Sequence, residues 1–227
     1  MGADFIRGTW VQYTFLSLTL LTILMGSMMA YKETLFKKRL AYSTVSQVSY
    51  ALFGIALLTP AGLAGGLMHV VFHSLVKNTL FLVAGAIIHM TGFKKVTEYR
   101  DIARKMPVTM WCYTLVSITL VGVPPTSAFL SKWYLATASL DTGIRVISWL
   151  GPVVLILSAL LTAGYLLSIT LKAFFPGDEY DYPCLSKKEP NLYMLGPMIL
   201  MTAAEVILGI WAGPFVEFVD KIAGSVL

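Results

Sequence analysis

The chain has 227 residues, 57% of them hydrophobic and only 13% charged, with a mean hydropathy of +0.75. That composition excludes an ordinary water-soluble domain and points to an all-α integral membrane protein in a lipid bilayer. The net charge of +5 gathers in a few short loops, so it gives no reason to invoke a nucleic-acid partner.

A bilayer core takes about 20 apolar residues per helix. Six such stretches occur, at residues 10–31, 40–58, 64–90, 108–137, 146–175 and 192–218, and they predict a single membrane domain over 1–227. The first is too long for a signal-peptide core and no small-residue cleavage site follows it, so it is expected to be a membrane helix.

The second span opens with RLAYSTVSQVSY. Ser43, Ser46, Gln47 and Tyr50 fall on one helical face. They either support a hydrated ion path or bond between helices, as polar residues in membranes commonly do.

The third span carries HVVFHSLVK, in which His69, His73 and Lys77 lie four residues apart. Each step rises about 6 Å along a helix, so the three line one face. In a soluble core the bland reading would win: neutral packing histidines and a lysine that snorkels. Midway along a membrane span, ionisable groups are costly unless they are used, which favours a proton-carrying role. His89, at the far end of the same span, is either a proton intake group or an interfacial histidine. The loop that follows, TGFKKVTEYRDIARKMP, is long enough for an amphipathic turn on the surface.

The fourth span contains GVPPTSAFLSK, where Pro124 and Pro125 remove two backbone donors in mid-membrane. A broken helix is tolerated there only where protein or trapped water satisfies the freed carbonyls, and transporters use such breaks to build ion sites. Lys132 lies just beyond. It either exchanges protons at the break or reaches the outer interface beside Trp133 and Tyr134, which have the look of belt residues. Transporter folds usually carry two broken helices; a single one here suggests half of a transport unit.

Glu205 is the one acid deep inside a span, either a partner for a neighbouring chain or a paired structural group. The loop PGDEYDYPCLSKKEPN before the sixth span reads as a surface connection.

Lysine and arginine set an orientation. Lys32, Lys37, Lys38 and Arg39 in loop 1, Lys94, Lys95, Arg100, Arg104 and Lys105 in loop 3, and Lys172, Lys187 and Lys188 at loop 5 share one side. Arg7, Arg145 and Lys221 hold the other. Loops 1, 3 and 5 are therefore expected in the cytoplasm and both termini outside. Cys112 and Cys184 map near the cytoplasmic face and form no Cys-x-x-Cys pair, which argues against an iron–sulfur cluster or metal site in this chain. No phosphate-binding glycine motif and no catalytic constellation is present, so the energy for any transport must come from elsewhere.

Three stretches, KKRLAYSTVSQVSYALFGIAL, HVVFHSLVKNTLFLVAGAIIH and GVPPTSAFLSKWYL, in that order, resemble consecutive signatures of the antiporter-like subunits. That family comprises the ion-pumping subunits of respiratory complex I, their counterparts in membrane-bound hydrogenases, and the large subunits of Mrp-type sodium/proton antiporters. The resemblance covers nearly the whole chain, residues 1–9 and loop 5 aside. It implies a fourteen-helix core with two inverted five-helix repeats, each with a broken helix and a buried lysine or glutamate. This chain matches the C-terminal half: one five-helix repeat plus one extra helix.

The resemblance further implies that Lys77 is the central lysine of the outward half-path. His69 and His73 would be the histidines preceding it, and Lys132 the terminal donor. The first repeat is missing, so either a partner chain supplies it or the sequence is a fragment of a longer protein. The implied function is proton translocation, alone or coupled to sodium, in a redox-driven complex of an energy-conserving membrane such as the prokaryotic plasma membrane. Flavin, iron–sulfur clusters or quinone would sit on partner subunits and none on this chain. An Mrp-type antiporter without redox partners, and a non-conducting structural subunit, are the alternatives.

Overall fold

The computed structural model describes residues 5–176 and 188–226. Among them the regular structure is helical, apart from a lone bridge between Leu35 and Lys95. The helices are α1 (Trp10–Lys32), α2 (Phe36–Ala56), α3 (Pro60–Thr91), α4 (Ile102–Lys105), α5 (Pro107–Val121), α6 (Ser127–Leu140), α7 (Arg145–Phe174), α8 (Leu192–Ile210) and α9 (Gly213–Val226). Of these, α1, α3, α7 and α8 are each long and apolar enough to cross a membrane.

The longest helix, α3, forms the axis of the molecule and packs against α2, α5, α6, α8 and α9. Its start is specified locally: Pro60 opens it, and the Thr59 hydroxyl accepts a 3.1 Å hydrogen bond from the Gly62 amide. One apolar cluster, including Phe36, Leu40, Leu80, Tyr99, Tyr113 and Leu166, fills the end nearer loop 3. A second, including Leu16, Ile23, Tyr50, Phe53, Leu135 and Leu155, fills the other end. Lipid tails are as apolar as leucine, so between membrane helices shape complementarity and hydrogen bonds carry the association. A hydroxyl trio supplies such bonds here: Ser27 lies 2.8 Å from Ser46 and 2.6 Å from Ser158, tying α1, α2 and α7 together. Each bond of this kind contributes about 0.6 kcal/mol.

The chain departs from its sequence reading in two places. The stretch expected as one helix over 192–218 is two helices, α8 and α9, parted at Trp211 and Ala212. Pro214 lacks the amide that would bond the Ile210 carbonyl and disfavours helical geometry at Gly213, which explains the interruption. Arg39, counted above as a loop charge, lies in the first turn of α2, where it is buried and donates to the carbonyls of Glu33 and Tyr165 at 2.8 and 3.0 Å. Most of the fifth loop, with Cys184 and Lys187, lies outside the described residues.

Loops 1 and 3 are clasped together. The Phe36 amide donates to the Lys94 carbonyl, and the Val96 amide to the Thr34 carbonyl, each at 3.0 Å. Glu33 accepts from the amides of Thr34 and Leu35, and Glu98 from those of Lys94 and Lys95, so each carboxylate braces one side of the clasp.

Candidate functional site

The fourth apolar stretch breaks where its prolines require. Helix α5 ends at Val121, Gly122 turns the chain with φ +88°, and α6 begins at Ser127. In a continuous helix the amides of residues 124 and 125 would bond the carbonyls of Leu120 and Val121. Pro124 and Pro125, joined here by a cis peptide, have no amide to give. Lys132, one turn into α6, reaches back and donates to those same carbonyls at 2.5 and 2.9 Å. Its stem runs beside Gly122, where an added Cβ would lie 3.1 Å from the Lys132 Cδ. The ammonium thus sits at the negative end of α5, where a cation is favoured. It is also 5.5 Å from the centre of the Tyr50 ring.

The middle of α3 carries the second lysine. Lys77 is 5% exposed and donates to the Leu40 carbonyl at 3.1 Å and to the Ser43 hydroxyl at 2.8 Å, both on α2. Since Lys77 donates to Ser43, the Ser43 proton is free to go on to the Tyr165 oxygen, 2.5 Å away. Tyr165 donates to Thr162 at 3.4 Å, and Thr162 to the Ser158 carbonyl at 2.7 Å. The chain therefore points away from Lys77 and ends on a carbonyl. Such a series polarises toward a positive charge at its head and steadies the ammonium in a low-dielectric site. It offers no onward acceptor for a proton.

Between the lysines lie the two histidines, both buried. Their rings are stacked 6.1 Å apart, and His69 stacks in turn on Tyr50 at 5.2 Å. His69 Nδ1 meets the Ser131 hydroxyl at 3.0 Å, and Ser131 is the residue before Lys132. Among the described residues the Nε2 atoms of His69 and His73 have no hydrogen-bond partner, and neither does the Gln47 side-chain amide buried on α2. No acid pairs with either lysine among the described residues. A step of four residues on α3 and one side-chain contact to α6 thus set out a file: Lys77, His73, His69, Ser131, Lys132. Each ammonium has two fixed protein acceptors, and an amine carries three protons when charged and two when neutral. Each lysine can lose one proton and still satisfy both acceptors.

The other residues singled out in the sequence divide. Ser43 and Tyr50 touch the file; Tyr50 also donates to the Leu155 carbonyl at 3.0 Å. Ser46 belongs to the helix-tying trio, donating to the Ile23 carbonyl at 2.9 Å. His89 is exposed at the end of α3, away from the file. Glu205 meets the first residue of α6 through a 2.5 Å bond from the Ser127 hydroxyl. Sequence reading missed Ser131, Ser127, Tyr165 and Arg39. The repeat of Ser127 and Ser131 with the period of a helical turn was the one available signal for the first two.

The family model described as NADH:quinone oxidoreductase/Mrp antiporter, transmembrane, matches residues 2–162. Subunit N of the NADH-quinone oxidoreductase of Desulforudis audaxviator is 36% identical over 211 residues, covering 88% of this chain and 41% of the relative. A protein of the Na(+)/H(+) antiporter of Alkalihalophilus pseudofirmus is 29% identical over 207 residues, covering 91% of this chain and 41% of that protein. A chain of respiratory complex I from Thermus thermophilus, solved with bound NADH, superposes with a TM-score of 0.83 at 25% identity, over 94% of this chain and 44% of its own. The chain spans less than half the length of the curated relatives it matches.

Proposed function

We infer function from one premise: the chain belongs to the NADH:quinone oxidoreductase/Mrp antiporter transmembrane family. It is an antiporter-like membrane subunit, or the C-terminal half of one, that carries the outward half of a proton path in a redox-driven complex. The observation that carries this reading is the file of amines and imidazoles from buried Lys77 to part-buried Lys132, with no acidic partner among the described residues, in which each lysine can give up one proton and keep its hydrogen bonds.

Six membrane crossings fit this role, with α5 and α6 together making one and α9 extending α8. In this reading loops 1, 3 and 5 face the cytoplasm and His69 lies nearer the outside than Lys77. Burial of Arg39 removes one cytoplasmic charge from the loop count and leaves the bias intact. A proton at Lys77 would pass by way of His73 and His69 to Lys132, with bridging waters at the free Nε2 atoms. Other membrane subunits complete the complex, one of them supplying a first repeat unless that repeat belongs to the same polypeptide. Flavin, iron–sulfur clusters or quinone would act on those partners.

The second reading, part of a sodium/proton antiporter, is favoured by the likeness to the Alkalihalophilus pseudofirmus protein. Purifying the native complex through a tag on this chain distinguishes the two. Redox cofactors that co-purify at constant ratio support the redox-driven pump; small membrane subunits alone support the antiporter. Proton movement unaffected by Lys77→Ala would point to a structural subunit.

A further inference from the structure

The file leaves several buried ionisable groups unused, among them Glu205 on α8. Glu205 is 1% exposed; its Oε2 accepts the bond from Ser127, and its Oε1 has no hydrogen-bond partner among the described residues. The Thr126 hydroxyl beside it is likewise buried and unpartnered. Glu205, Thr126, Thr119 and Pro125 line a cavity of about 160 Å³ together with apolar neighbours that include Leu115 and Ile210. That is room for a few waters at about 30 Å³ each.

The carboxyl is held in place by its own helix. One turn beyond it, Gly209 lets α8 press against the break: an added Cβ there would lie 2.9 Å from both the Pro125 carbonyl and the Ser127 amide. Ser127 is the first residue of α6, so Glu205 faces the positive end of that helix. The helices packed against α8 carry other titratable groups: His69, His73, Lys77 and His89 on α3, Cys112 and Tyr113 on α5, and Lys132 and Tyr134 on α6. None of them bonds to Glu205.

A carboxyl with one free oxygen at a cavity, and with no fixed counter-charge among the described residues, suits proton exchange. A metal cation is disfavoured, since the same helix end repels it and the cavity presents few oxygens.

We propose that Glu205 is a second proton-binding site, reached through the cavity at the break and set opposite Lys132 on the two ends of one interrupted helix. Oε1 takes a proton from hydronium in the cavity, one O–H bond forming as another breaks, and returns it without any redox change. Protonated Lys132 at the end of α5 and ionised Glu205 at the start of α6 charge the halves of the break oppositely, so occupancy of one site biases the other.

The proposal rests on the translocation reading above, and its test separates the two. The intact complex, wild type or carrying Glu205→Gln, Glu205→Asp or Lys77→Ala, is reconstituted in vesicles. Proton uptake is measured alongside infrared spectra across a pH titration. The proposal expects a protonated-carboxyl carbonyl band that titrates in the wild type and vanishes in E205Q, loss of most proton uptake in E205Q, and retention of most of it in E205D. A titrating band unchanged in E205Q, or wild-type uptake by E205Q while K77A abolishes it, overturns the Glu205 site and leaves the Lys77 path standing. Wild-type uptake by both variants overturns the translocation reading itself.

Discussion

The Lys132 ammonium lies 2.5 Å from the carbonyl oxygen of Leu120, the oxygen whose helical donor would have been the amide that Pro124 lacks. The break and the lysine are therefore one device. Two prolines free two carbonyls, and one amine from the next half-helix takes up both.

Lys132→Met keeps the length of the side chain and removes its donors. Leaving the Leu120 and Val121 carbonyls without a partner costs about 1–3 kcal/mol each. Thermal unfolding of the purified complex in detergent is expected to show a lower midpoint for Lys132→Met, and a near-native one for Lys132→Arg, which keeps charge and donors. Proton uptake is expected to fail in both, because arginine holds its protons throughout the accessible pH range.

Tyr165→Phe tests the hydroxyl series behind Lys77. It removes the acceptor for Ser43 and the donor to Thr162 while keeping the ring. Stability should fall by only about 0.6–1 kcal/mol. Proton uptake should fall further than that loss explains, because the group that steadies a charged Lys77 is gone. Comparing the midpoint of unfolding with uptake at saturating driving force reads out the two effects.

Gly209→Val is expected to push α8 away from the break. With the Pro125 carbonyl and Ser127 amide each 2.9 Å from an added Cβ, backbone must move. Overpacking of this kind costs about 1–3 kcal/mol. Crosslinking yield between cysteines placed on α6 and α8 is expected to drop, whereas Gly85→Val, whose Cβ meets nothing within 4 Å, should leave it unchanged.

The clasp between loops 1 and 3 gives a pH dependence at the surface. Backbone amides hold Glu33 and Glu98 below the ordinary carboxylate value, Leu35 foremost for Glu33 and Lys95 for Glu98. A carboxyl lowered on folding adds stability that is complete above its unfolded value, near 4.5, and lost as pH falls through the folded one. Hydrogen exchange at the Leu35 and Lys95 amides, corrected for its intrinsic rate, is expected to be slow at neutral pH and to quicken below that window. In Glu33→Gln with Glu98→Gln, exchange should no longer depend on pH there.

Much of this was legible in the sequence because it lies within single helices. Residues four apart on α3 must share a face, so His69, His73 and Lys77 line up whatever packs around them. Two adjacent prolines must end α5. What was not legible depends on pairings across the chain: Tyr165 meets Ser43 from 122 residues away, and Ser131 meets His69 from 62. Arg39 sits among lysines and looks like one more loop charge, until α2 is seen to start at Phe36 and to turn it inward. The interruption at Trp211 is not legible because its proline, Pro214, stands alone and near the end of an apolar run, where a helix terminus reads the same way.

The central claim is that protons pass through this chain by way of Lys77. Its most direct test is proton uptake by vesicles containing the assembled complex, measured with a pH-sensitive dye under its native driving reaction, for wild type and Lys77→Ala. The account predicts that Lys77→Ala assembles and loses most of its uptake, since no other amine occupies that place in the file. Uptake at the wild-type rate by an assembled Lys77→Ala complex would contradict it.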